Sequence, residues 1–156
     1  MRIYLPATAA DLRAEAISAR HAHAATQALA RALPEEDEEG LEVSASLCAA
    51  DASVMLLAEP GAEGLADRRL VIAADVDDQV VGELAVDEET LPGTVAVGAP
   101  VAWEEVAAIL VDDPQAEEDV RAARTGDEEA FERAAEADLL WYDVVERQAL
   151  AHELGV

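Results

Sequence analysis

Three carboxylates in this 156-residue chain stand where residue type and spacing could do chemistry. Asp75 closes the apolar run Leu70-Val71-Ile72-Ala73-Ala74, and Asp112-Asp113 closes Ala108-Ile109-Leu110-Val111. Each run predicts a strand buried on both faces, and the ends of parallel strands are where ligands gather in a sheet. Two or three carboxylates converging there would hold Mg²⁺ or Mn²⁺, hard cations that take oxygen ligands, and would support a divalent-metal-dependent enzyme, a hydrolase being one such. The same residues also have a structural use. Asp readily ends a strand, and Asp113 before Pro114 has the form of a helix cap with proline in the first position. His21 and His23 make a second constellation. Two imidazoles spaced by one residue bind one metal only from an extended backbone, and the alanine-rich flanks here favour helix or loop. Asp51 would suit a general base if burial raised its pKa, whereas a seam open to water would leave it an ordinary carboxylate. Glu104 and Glu105 read as a solvated turn.

Aromatic residues are only 3% of the chain, so each one is informative. Trp103, Trp141 and Tyr142 either plug the core or, where two of them meet at a surface groove, anchor a protein partner. No Gly-x-Gly-x-x-Gly, phosphate loop, Cys-x-x-Cys or serine nucleophile elbow occurs. His152-Glu153 lacks the second His of a zinc-protease pattern. Nucleotide, redox and acyl-transfer chemistry therefore have no support. Two readings remain: a non-catalytic acidic binding protein, which the missing motifs favour, and the metal-dependent enzyme built on Asp75, Asp112 and Asp113.

Net charge decides what kind of partner to expect. Against 35 acidic residues stand ten basic ones, all arginine, for a formal charge of −25. Such a surface repels nucleic acid and anionic membranes and suits a protein partner with a basic surface. The all-arginine usage points to a GC-rich genome, with salt adaptation as the other source of an acidic surface. The lone Cys48 excludes an intrachain disulfide and reads as a small buried hydrophobe in a reducing cytoplasm. The longest apolar run, Val106–Val111, falls far short of the roughly 20 residues that span a bilayer, and the start has no signal core.

The elements that must position these residues are organised around Leu41–Ala58. Val43, Leu47, Ala50, Val54 and Leu57 form one helical stripe, and Leu41, Ala45, Cys48, Ala52 and Met55 form another on the opposite side. That pattern predicts a central helix covered on two sides, with acidic residues before it and Glu59-Pro60-Gly61 ending it. Strands are predicted at Arg2–Leu5, Arg69–Asp75, Thr94–Val97 and Ala108–Val111, with a short extended piece at Gln79–Val81 within an acidic surface connection. Helices follow Thr8, Thr26, Asp113 and Asp127. Leu139–Tyr142 could close a helix or form a last edge strand, and the strand is preferred, with Trp141 inward and Tyr142 partly open. The fold class is α+β, one domain over residues 1–156 with a small mixed sheet of four to five strands.

Arg2-Ile3-Tyr4-Leu5-Pro6-Ala7-Thr8, Val71-Ile72-Ala73-Ala74-Asp75-Val76, Val111-Asp112-Asp113 and Leu139-Leu140-Trp141-Tyr142 occur in an order that resembles a family of uncharacterised actinobacterial proteins, a domain of unknown function. The resemblance spans nearly the whole chain. It implies an actinobacterial, cytoplasmic origin and carries over no catalytic residue.

Overall fold

The alternation Ile3-Tyr4-Leu5 sends successive side chains to opposite faces, and both faces are buried, so β1 (Arg2–Ala7) lies inside a sheet covered on two sides. The computed structural model describes residues 1–156. β1 is followed by β2 (Ala16–Ile17), β3 (His21–His23), β4 (Leu70–Asp75), β5 (Val81–Glu83), β6 (Thr94–Val97), β7 (Val101–Ala102), β8 (Val106–Asp112) and β9 (Leu139–Tyr142). Seven of these form one sheet in the order β5-β6-β3-β1-β4-β8-β9, and β2 with β7 makes a small separate ribbon.

Every pairing in the large sheet is antiparallel. The sheet is therefore not mixed, and it has seven strands where four to five are predicted. In this sheet β3 is missed from sequence and β5 meets the extended piece expected at Gln79–Val81 only at Val81; both are three residues, too short for a period-two pattern to show, as are the two-residue β2 and β7, also missed. His21–His23, predicted as helix or loop, is β3.

The helices are α1 (Gln27–Ala32), α2 (Glu38–Leu57), α3 (Glu117–Ala123), α4 (Glu128–Ala135) and α5 (Arg147–Glu153). One sheet face carries Ile3, Leu5, Ile72, Ile109 and Val111 and packs with Leu150 and Leu154 from the α5 segment, Leu12 and Trp103. The other face carries Tyr4, Val71, Ala73 and Ala108 and receives α2 through Leu41, Ala45, Ala49 and Ala50. Alanines at this contact let the helix approach closely. Ser53 fixes its position: the hydroxyl donates to the Ala7 carbonyl at 2.7 Å and accepts the Leu70 N–H at 3.1 Å. At its C-terminal end, Val54 and Leu57 pack against Ala123, Ala130, Val120 and Ala134 of α3 and α4.

α2 is thus covered on one side, not two. Val43, Leu47 and Met55 are 53%, 40% and 63% exposed. The reason is supply: α5 packs on the far face of the sheet, and α3 with α4 reaches only the end of α2. Asp37 caps the helix by accepting the Gly40 N–H at 2.8 Å. By length and composition α2 alone could cross a membrane, but seven of its residues are buried within the fold.

Candidate functional site

β4 and β8 run antiparallel with Leu70 opposite Val111, so the end of β8 lies beside the start of β4. Asp112 sits there with no exposed surface. Its carboxylate accepts the Arg69 backbone N–H at 2.6 Å, and Arg69 Nε and Nη2 at 3.0 and 2.8 Å. Arg68 Nε donates to the Asp112 carbonyl at 2.8 Å. Asp112 therefore has its acceptor capacity turned toward two arginines. Arg69 Nη1 comes within 3.7 Å of Asp51, an ion pair too long for a hydrogen bond, and both Arg69 Nη1 and Arg68 Nη2 are buried without a hydrogen-bond partner. Burial pushes the Asp51 carboxyl up, and Arg69 partly offsets it. Sequence reasoning missed this node, although a charged pair leading directly into a buried strand needs a buried counterion.

Asp75 stands at the opposite end of β4. It lies six positions beyond Arg69 in the chain, roughly 20 Å at about 3.3 Å per residue. Arg2 grips it through Nε and Nη2 at 2.7 and 2.9 Å, which holds the carboxyl below its usual range. Asp113 caps the turn that begins at Pro114, accepting the Gln115 N–H at 2.9 Å. The structure therefore does not bring Asp75, Asp112 and Asp113 to one point, and no three His, Cys, Asp or Glu side chains gather as metal ligands. The antiparallel pairing also removes the parallel strand ends on which their convergence depended.

His21 and His23 share one face of β3, as an extended backbone requires. His23 is 7% exposed, opposite Tyr4 and Thr94, and its Nδ1 has no hydrogen-bond partner. Burial, with a smaller contribution from His21, lowers its pKa to about 4, so the ring is neutral at pH 7. Cys48 lines an open apolar groove of about 350 Å³ with Leu29, Leu33, Leu47, Leu91 and Pro92. Burial pushes that thiol up, away from the reactive thiolate.

The aromatics divide. Trp103 is 8% exposed, its indole N–H donates to the Ala14 carbonyl at 2.9 Å, and the Arg147 guanidinium lies 4.3 Å from its ring centroid. It fills the core beneath a cation. Trp141 is 63% exposed, and Tyr142 packs partly on the α5 side of the sheet. This reverses the predicted faces of β9. Ile109 pairs with Tyr142 and Leu110 with Trp141, so β8, whose Ile109 and Val111 point into the filled core, sets the parity.

Beyond its pairing with β8, no backbone or side-chain hydrogen bond involves residues 139–142. Glu136, Asp138, Asp143 and Glu146 around this strand are all exposed. The arrangement offers an apolar edge framed by carboxylates and no set of converging catalytic groups.

The chain belongs to the family of unknown function DUF6912, whose model matches residues 1–151. No curated protein and no solved structure matches it.

Proposed function

We propose that this family member is a non-catalytic, acidic cytoplasmic protein that binds another protein bearing a basic surface, with Trp141 and Tyr142 among its own contact residues. One observation carries the reading: the chain's cations are spent internally while its anions are not. Every arginine has a partner within the fold. Seven are in ion pairs, Arg13 donates to the Val156 carbonyl, Arg31 reaches Gln27, and Arg147 covers Trp103. Only eight of the 35 carboxylates enter an ion pair, so 27 have no cation beside them. Such a field steers cationic surfaces in and turns phosphate backbones away. The lone Cys48 supports a reducing compartment, and all-arginine cation usage supports a GC-rich, actinobacterial source.

The test is titration with a cationic Arg/Ser peptide and its Glu/Ser counterpart at several salt concentrations. The cationic peptide alone should bind, more weakly as salt rises, and Trp141→Ala should weaken it by about fivefold or more without changing the melting temperature. Binding indifferent to salt, or equal in the variant, refutes the reading.

A further inference from the structure

β9 is the element whose open backbone lies beside apolar side chains. In an antiparallel ladder alternate residues turn their N–H and C=O outward, so the outer edge of β9 presents unpaired groups. Such an edge templates pairing with another chain, and proteins ordinarily blunt it with charge, proline, a bulge or a very short strand. The opposite edge of the same sheet is blunted in this way: β5 is Val81-Gly82-Glu83, with Gly82 and Glu83 exposed. β9 instead carries Leu139-Leu140-Trp141-Tyr142, and Val145, three residues past the strand, is 88% exposed. The four exposed carboxylates Glu136, Asp138, Asp143 and Glu146 border it. The arginines flanking it in sequence are occupied, Arg133 by Asp119 and Arg147 by the Trp103 ring.

We infer that the outer edge of β9 is a docking strand, to which an extended segment of a basic partner protein adds as an eighth strand. The partner's main chain bonds residues 139–142, an apolar side chain lies on Trp141, and Arg or Lys residues at either end meet the four carboxylates. This rests on the basic-partner reading and adds the mode of recognition. Charge alone accounts for the carboxylates but not for an apolar strand with an open outer edge between them. A second copy of this chain is opposed, because two-fold edge-to-edge pairing would face the same four carboxylates with themselves on molecules of formal charge −25.

Three probes test it: a ten-residue peptide alternating Arg and Val, its Glu and Val counterpart, and the Arg and Val peptide N-methylated at four consecutive central residues, which removes donors from both of its edges. The unmodified cationic peptide should bind and slow amide exchange at the outward-facing residues of 139–142. The N-methylated one should bind about tenfold more weakly or worse. Equal binding of the two cationic peptides overturns strand addition and leaves the charge reading standing, whereas failure of both cationic peptides overturns both. Sedimentation of the free protein supplies a further check, since an edge dimer that Trp141→Lys dissociates would assign the edge to a second copy and overturn the inference.

Discussion

Arg69 and Asp112 form an ion pair at 2.8 Å with 1% and 0% of their side chains exposed. The pair joins the start of β4 to the end of β8, and Arg69 also donates its backbone N–H to the same carboxylate. Asp112→Ala leaves a guanidinium buried with only Asp51 nearby, so it should cost about 3–5 kcal/mol. The double variant Arg69→Met with Asp112→Leu removes both charges and should recover most of that. Urea unfolding of the three proteins checks it; a single variant as stable as wild type would mean that water already reaches the pair.

Leu57 and Leu47 lie on the same predicted stripe of α2 but have different surroundings. Leu57 is 2% exposed against Val120 and Ala134, and Leu47 is 40% exposed. Leu57→Ala should cost about 2–5 kcal/mol and Leu47→Ala under about 1 kcal/mol. Equal losses in chemical denaturation would show that the outer face of α2 is covered in solution.

The contrast between these two leucines shows where sequence stops being legible. The existence of α2, the buried run of β4 and the cap at Asp113 follow from local pattern, because capping and periodicity are local physics, whereas Leu139–Tyr142 suits a helix end as well as the strand it forms. Which residues of α2 are buried does not follow: the covered face takes Ala50, Val54 and Leu57 from one predicted stripe and Leu41 and Ala45 from the other, and its position depends on where the sheet, α3 and α4 come to lie. The same holds for the site. Trp141 faces outward because β8 sets its register, and Asp75 parts from Asp112 because the strands are antiparallel. Neither relationship is written within a few residues of sequence. β3 at three residues is shorter than any pattern that would reveal it.

His23 predicts an acid-side loss of stability. Its pKa falls from the ordinary 6.5 to about 4 on folding, because burial disfavours the charged ring. Below pH 6.5 the unfolded chain takes up a proton that the fold resists. The stabilisation is therefore complete above pH 6.5, declines as pH falls, and is gone below about 4, a change of up to about 3 kcal/mol. His23→Gln removes the titration. The gap between wild type and variant should move in the variant's favour between pH 7 and pH 4, and a pH-independent gap would place the His23 ring in water.

Ionic strength should act on the 27 unpaired carboxylates. Their mutual repulsion opposes the compact state and is screened over about 10 Å at 0.1 M salt. The melting temperature should rise from low to moderate salt. A flat response would indicate that the outward charges are spaced beyond one another's reach.

Trp141 and Trp103 should answer differently to quenchers, and the sign of the quencher's charge adds a second measurement. Trp141 is 63% exposed on an edge bordered by four carboxylates, whereas Trp103 is 8% exposed beneath Arg147. With Trp103→Phe, only Trp141 reports, and neutral acrylamide should quench it at nearly the rate of free tryptophan. Caesium should quench it more efficiently than iodide, because the surrounding carboxylates concentrate cations and repel anions, and added salt should narrow that difference. With Trp141→Phe, Trp103 should resist all three quenchers, and the fold should lose under about 0.5 kcal/mol, as expected for an exposed site. A Trp141 that resisted acrylamide would be buried in solution, with the outer edge of β9 already covered. Easy quenching without the caesium preference would instead detach the aromatic from the acidic frame that makes a basic partner its fitting occupant.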